Sequence, residues 1–146
     1  MLYGRLLFLC LLAPPLLLAD HLSVLVVPFT NDSQTADLAW IGESISETLI
    51  AEVGAAGEIV LDRDTRGEGY RRLGLKPDTL YTKASLLKLG QTLDADMVCY
   101  GSYQIMLPAP NAQPRDGSIR ISARFLDLRK LRDASEFSET DRKSVV

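Results

Sequence analysis

Leu22-Ser23-Val24-Leu25-Val26-Val27-Pro28-Phe29 is rich in β-branched residues and almost wholly apolar. A run without polar alternation marks a strand buried on both faces, and such strands belong to sheets covered by helices on each side. Pro28 cannot donate to a ladder and marks the strand's exit, so a polar loop from Thr30 to Asp37 is expected next. Asp37 is placed to cap a helix whose apolar positions Leu38, Ile41, Ile45, Leu49 and Val53 recur at helical spacing. Glu43, Glu47 and Glu52 lie toward its other face. Gly54 and Gly57 end that helix, and Ile59-Val60-Leu61 reads as a short second strand.

From Asp62 to Tyr81 the chain is polar and punctuated by Gly, with a short helix expected around Gly69 to Leu73. Thr82 caps a clearer helix through Leu93, presenting Leu86, Leu87, Leu89, Gly90 and Leu93. Met97 to Leu107 reads as a third strand, Pro108 to Gly117 as a hairpin loop, and Ser118 to Leu128 as a fourth strand. In that fourth strand Ile119, Ile121, Ala123 and Phe125 take one face, and Arg120, Ser122 and Arg124 the other. A turn from Arg129 to Ala134 leads to a further strand, Ser135 to Glu139. The order β-α-β-α-β-β specifies an α/β (α+β) fold, a mixed sheet with helices packed on it. Its expected core is Val24, Val26, Ile41, Ile45, Leu49, Val60, Leu86, Leu93, Val98 and Phe125.

Both ends of the chain carry signals of another kind. Leu6 to Leu18 is an apolar run of about 13 residues behind Arg5, too short for the roughly 20 that span a membrane. It suits a secretory leader, residues 1–19, cleaved after Ala19 to leave Asp20 as the mature start. A retained anchor and a lipid attached at Cys10 are the alternatives; Leu9, before that cysteine, is larger than a lipoprotein signal prefers. Cleavage would leave Cys99 as the single thiol, so the exported domain must be stable by packing alone, with Cys99 buried and inert. At the other end, Asp141-Arg142-Lys143-Ser144-Val145-Val146 is what one frame of a common sequencing adapter spells, GAT CGG AAG AGC GTC GTG. Residues 141–146 are therefore expected to be an artefact, with 20–140 forming one domain truncated at its end.

Composition excludes several function classes. The 146 residues carry a net charge of -3, which is against a generically basic nucleic-acid binder. One histidine, His21, stands beside the cleavage point and is a poor member of a catalytic triad. Zinc wants three or four ligands that the mature chain does not supply, and Asp62 and Asp64 around Arg63 read as solvated carboxylates rather than a cation site. Gly67-Glu68-Gly69 lacks the third glycine of a dinucleotide fingerprint, the position being Arg72. No catalytic, cofactor-binding or metal-binding residue is assigned.

Val24-Leu25-Val26-Val27-Pro28-Phe29-Thr30-Asn31 resembles the opening of the TolB amino-terminal-like domain, seen also in FlgO- and CsgG-type envelope modules. Trp40 to Leu49 resembles that family's first helix. Ile59 to Arg63 resembles its second strand, and Leu93 to Tyr103 the entry to its third. Together these stretches span residues 23 to 128. Asp94 replaces the family's usual Gly after the helix, at a position that wants a left-handed backbone, which Asp visits more easily than most. The resemblance implies an exported periplasmic or envelope domain, often standing before tetratricopeptide repeats, that binds or assembles rather than catalyses. It transfers no partner identity.

Arg115, Arg120, Arg124, Arg129, Lys130 and Arg132 form one basic cluster. Arg120, Arg124, Arg129, Lys130 and Arg132 are the candidate partner-binding face, for an acidic protein surface or anionic head groups. The function expected is a non-enzymatic envelope interaction and assembly module, with protein partners, no nucleic acid, no cofactor and no transmembrane segment once the leader is gone. The alternative is a small-ligand sensor using 62 to 81 over the parallel strand ends as an enclosed pocket.

Overall fold

A computed structural model describes residues 21–33, 38, 40–77, 79–106 and 118–142. In chain order the elements are β1 (Ser23–Val26), β2 (Thr30–Asn31), α1 (Trp40–Ala55), β3 (Ile59–Leu61) and α2 (Arg63–Leu73). They are followed by α3 (Lys83–Thr92), β4 (Met97–Met106), β5 (Ser118–Asp127) and β6 (Arg132–Arg142). The strands form one mixed sheet in the order β3-β1-β4-β5-β6, with β2 pairing to β4 beyond the end of β1. β1 is parallel to both neighbours, whereas β4–β5 and β5–β6 are antiparallel. The expected α+β class is therefore what the chain adopts.

The apolar run sits in the middle of the parallel half because each of its faces meets a different layer. Leu25 and Val27 join Tyr70, Leu86, Leu89, Val98 and Leu126 under α2 and α3. Val24, Val26, Phe29, Cys99, Tyr103 and Ala123 form the other core, under α1. Two glycines permit close approach there. A Cβ on Gly42 would meet the Phe29 carbonyl oxygen at 2.0 Å, and one on Gly101 would meet the Ser122 carbonyl oxygen at the same distance.

Several expectations shift in detail. After Pro28 the chain rejoins the sheet, Thr30 opposite Ser102 and Asn31 opposite Tyr103, instead of looping away at once. The polar stretch after Asp62 contains an eleven-residue helix, longer than the short one expected around Gly69 to Leu73. The Asp62 side chain caps it by accepting from Thr65 N–H, and Gly74 closes it at φ 64°. α1 runs through Gly54 to Ala55, while its expected cap Asp37 falls outside the described residues. So do Leu107 and the hairpin loop Pro108 to Gly117 with Arg115. The last strand is longer than Ser135–Glu139 and holds a bulge opposite Phe125/Leu126. Asp94 does take the left-handed backbone, φ 51°.

Of the expected core, Val24, Val26, Leu86 and Val98 are buried. Ile41, Ile45, Leu49, Val60, Leu93 and Phe125 are half-buried at the margins of the two cores. The reason for most of these is layer thickness: α1 is the one described helix over its face of a five-strand-wide sheet, so its apolar stripe is covered on one side only.

Candidate functional site: a groove beside the parallel strand ends

In open α/β sheets the carboxyl ends of the parallel strands are the usual place for a ligand. Here the space over β1 is filled by the protein itself. Arg66, 3% exposed, points inward from α2. Its Nη1 donates to the Val26 carbonyl at 3.0 Å and its Nη2 to Glu43 Oε1 at 2.6 Å. Arg63 approaches the same carboxylate at 3.4 Å. Gly67-Glu68-Gly69 lies inside α2, where Glu68 is held by Arg71 and Arg72. Those two guanidinium groups keep the Glu68 carboxyl below its ordinary pKa. The Asp62 carboxyl is also lowered, by the Thr65 backbone N–H, so it serves the helix cap.

Beside this filled corner lies a groove of about 940 Å³ on the α3 side of the sheet. Its floor is Tyr100 and Ser102 of β4 with Ser122 and Arg124 of β5. One wall is the strap before α3, carrying Leu80, 78% exposed, and Tyr81. Tyr81 stacks on Tyr70, ring centroids 5.7 Å apart, and its hydroxyl donates to the Lys76 carbonyl. Behind it the Tyr70 hydroxyl is buried without a partner among the described residues, and desolvation pushes its pKa up. Lys83 Nζ and Asp133 Oδ2, 2.7 Å apart, bridge α3 to β6 at the groove's rim. Thr30 and Asp32 close its far end.

The five cations of the candidate partner-binding face separate into two places. Arg120 and Arg124 project, exposed, on the β5 face that carries the groove. Arg129, Lys130 and Arg132 lie at the β5–β6 turn, at the opposite end of the sheet, where β1 begins. There Arg129 stands 3.9 Å from Asp96 and Lys130 3.8 Å from Asp127, and Leu131, between Lys130 and Arg132, is 62% exposed at φ 52°. Strand alternation revealed the first pair. The separation of the second group depends on which end of the sheet the turn occupies, and only long-range pairing fixes that.

His21 is exposed. Cys99 is 1% exposed, and burial pushes its thiol up to about 12, far from the thiolate a nucleophile needs. Among the described residues no three His, Cys, Asp or Glu side chains gather as a metal site, and no helix is long and apolar enough to cross a membrane.

No protein-family model matches the chain, and no curated protein matches it. Solved structures do. The chain is similar to the LpoB C-terminal domain from Salmonella enterica, with TM-score 0.64 and 16% identity over 84% of this chain and 83% of that one. The LpoB C-terminal domain from Escherichia coli gives 0.63, 16%, 84% and 83% for the same measures. Lipoprotein GNA1162 from Neisseria meningitidis gives 0.60 and 21% over 84% of this chain and 81% of that one. At these identities the likeness is one of fold.

Proposed function

We propose that the chain is a non-enzymatic interaction and assembly module of the cell envelope, the amino-terminal part of a larger exported protein of the TolB amino-terminal-like kind. Residues 1–19 act as the leader and 20–140 form the domain, with β6 running on over Asp141 and Arg142. The fold it shares with a protein described as a lipoprotein supports this location. The observation that carries the reading is the β5–β6 turn, where the exposed Leu131 follows Arg129 and Lys130 and precedes Arg132. Their ion pairs, at 3.8 and 3.9 Å on the surface, are weak and readily exchanged for a partner's carboxylates. An exposed apolar residue flanked along the chain by cations suits a protein surface with acidic residues around a small hydrophobic pocket.

Placing a photo-crosslinking amino acid at Leu131, and as a control at Glu47 on α1, tests this in cells expressing the full reading frame. The expected result is one envelope protein joined at Leu131, not at Glu47, and lost when Arg129 and Arg132 become Glu. A protein retained in the cytoplasm, or equal labelling at both positions, would overturn the reading. The sensor alternative would use the groove beside the exit of β1, which Val27 and Pro28 line together with Leu80 and Tyr81 of the 62–81 stretch. A second depression of about 440 Å³, between α2 and the end of α3, is lined in part by the already paired Glu68.

A further inference from the structure

The groove carries a polar array that the turn-mediated interaction does not use. Thr30 stands opposite Ser102, Ser102 opposite Ser122, and Ser122 opposite Ser138, so hydroxyl residues of β2, β4, β5 and β6 form one row across the sheet. With strands about 4.8 Å apart, that row is about 14 Å long. Ser122 Oγ and Ser138 Oγ are 3.5 Å apart, and the Thr30 and Ser102 hydroxyls have no hydrogen-bond partner among the described residues. Arg120 and Arg124 flank the row two positions to either side of Ser122, on the same face. Tyr100, opposite Arg124, and Tyr81 on the wall add aromatic surface.

We propose that this groove binds a strand of carboxylated glycan. Each ring of such a polymer offers several hydroxyls, which donate and accept as the serine and threonine hydroxyls do, and apolar C–H faces that pack on tyrosine. Its carboxylates match the planar donor fork of arginine. Arg120 gives one donor to Thr140 at 3.4 Å and Arg124 is also engaged nearby, but each guanidinium has five. Of the acidic groups that line the groove, Asp133 is paired with Lys83 and Asp32 stands at the far end; in the strand register Glu136 is the residue opposite Arg124. An acidic peptide fits less well. The floor is an interior sheet face whose backbone groups are already paired, so it offers a peptide no ladder to join.

Titration of the full chain with hexagalacturonate, followed by amide NMR shifts, tests the proposal beside maltohexaose and hexaglutamate. Hexagalacturonate is expected to shift Ser102 and Ser122, with maltohexaose binding about tenfold more weakly for want of the carboxylates. Arg124→Gln and, separately, Arg120→Gln should each weaken hexagalacturonate by about threefold to tenfold, as should Ser102→Ala combined with Ser122→Ala. These side chains lie at the surface, and unchanged melting midpoints verify that the variants are folded. Should one variant unfold, the others carry the same test. Hexaglutamate binding as tightly as hexagalacturonate would assign the groove to an acidic protein surface and overturn the proposal. So would an absence of shifts with hexagalacturonate.

Discussion

Arg66 Nη2 lies 2.6 Å from Glu43 Oε1, joining α2 to the first turn of α1 just past the end of β1. Removing one partner of a buried pair is costly because the other keeps its desolvation without compensation. Glu43 retains Arg63 and some water, being 28% exposed, but the Val26 carbonyl loses its donor. Arg66→Met is expected to lower stability by about 2–4 kcal/mol and Glu43→Gln by about 1 kcal/mol, read from urea unfolding. A loss below about 1 kcal/mol for Arg66→Met would mean that the pair does not hold the three elements together.

Two glycines of α1 should respond to alanine with opposite sign. At Gly42 the added methyl meets backbone, the Phe29 carbonyl oxygen at 2.0 Å, so α1 must lift from the sheet. Overpacking of that kind costs about 1–3 kcal/mol, outweighing the gain in helix propensity. At Gly54 the nearest atom is a Val60 methyl at 3.9 Å, which is ordinary contact. Gly54→Ala is expected to raise stability by about 0.5–1 kcal/mol. Thermal melts of the two variants decide it.

Leu131 holds φ 52° while 62% exposed, so its backbone conformation is strained and its side chain contributes little packing in return. A left-handed residue with a Cβ costs about 1–2 kcal/mol, and Asn tolerates the conformation better than Leu. Leu131→Asn is expected to stabilise the domain by about 0.5–1 kcal/mol in guanidinium unfolding while weakening the proposed partner contact. Destabilisation instead would show that Leu131 contributes packing to the turn.

The Asp96 carboxyl lies below its ordinary range because the Ser23 backbone N–H and hydroxyl both donate to it at 2.9 Å, with Arg129 adding a small attraction. A folded-state pKa depressed below the unfolded value gives stability that is full above about pH 4 and lost as pH falls through the folded value. Ser23→Ala removes one of the two donors. Its Asp96 pKa, followed by NMR, should rise, and its stability should depend less steeply on pH in the acid range. An unchanged titration would assign the shift to the backbone N–H alone.

What was legible in the chain follows the range of the forces involved. β1 and α3 announce themselves by apolar pattern and by Thr82, because burial imposes a period on neighbouring residues. α2 does not, since its interior carries Gly67, Gly69 and many charges. Its signals are the caps Asp62 and Gly74, and Gly69 is there because a Cβ would meet Leu89 and Leu93 side chains at 2.8 Å. β2 was hidden by Pro28, which breaks β1 without ending the pairing along β4. At the candidate site, alternation placed Arg120 and Arg124 on one face. The hydroxyl row needed the register of strands far apart in sequence, which no local pattern encodes.

The placement of β1 also sets an order of assembly. Its neighbour β4 lies far along the chain, so that Ser23 meets Asp96 73 residues later. β5 pairs with β4 over its whole length across one short connection. Closing the longer loop loses more chain entropy before its contacts form, so the β4–β5 hairpin leads and β1 is laid against it afterwards. In a chain that emerges amino end first, β1 can meet β3 early, but its other edge waits longest, until β4 arrives. During that interval Val24 to Val27 presents an open apolar edge, and keeping it from sticking to its like is the main hazard this topology brings.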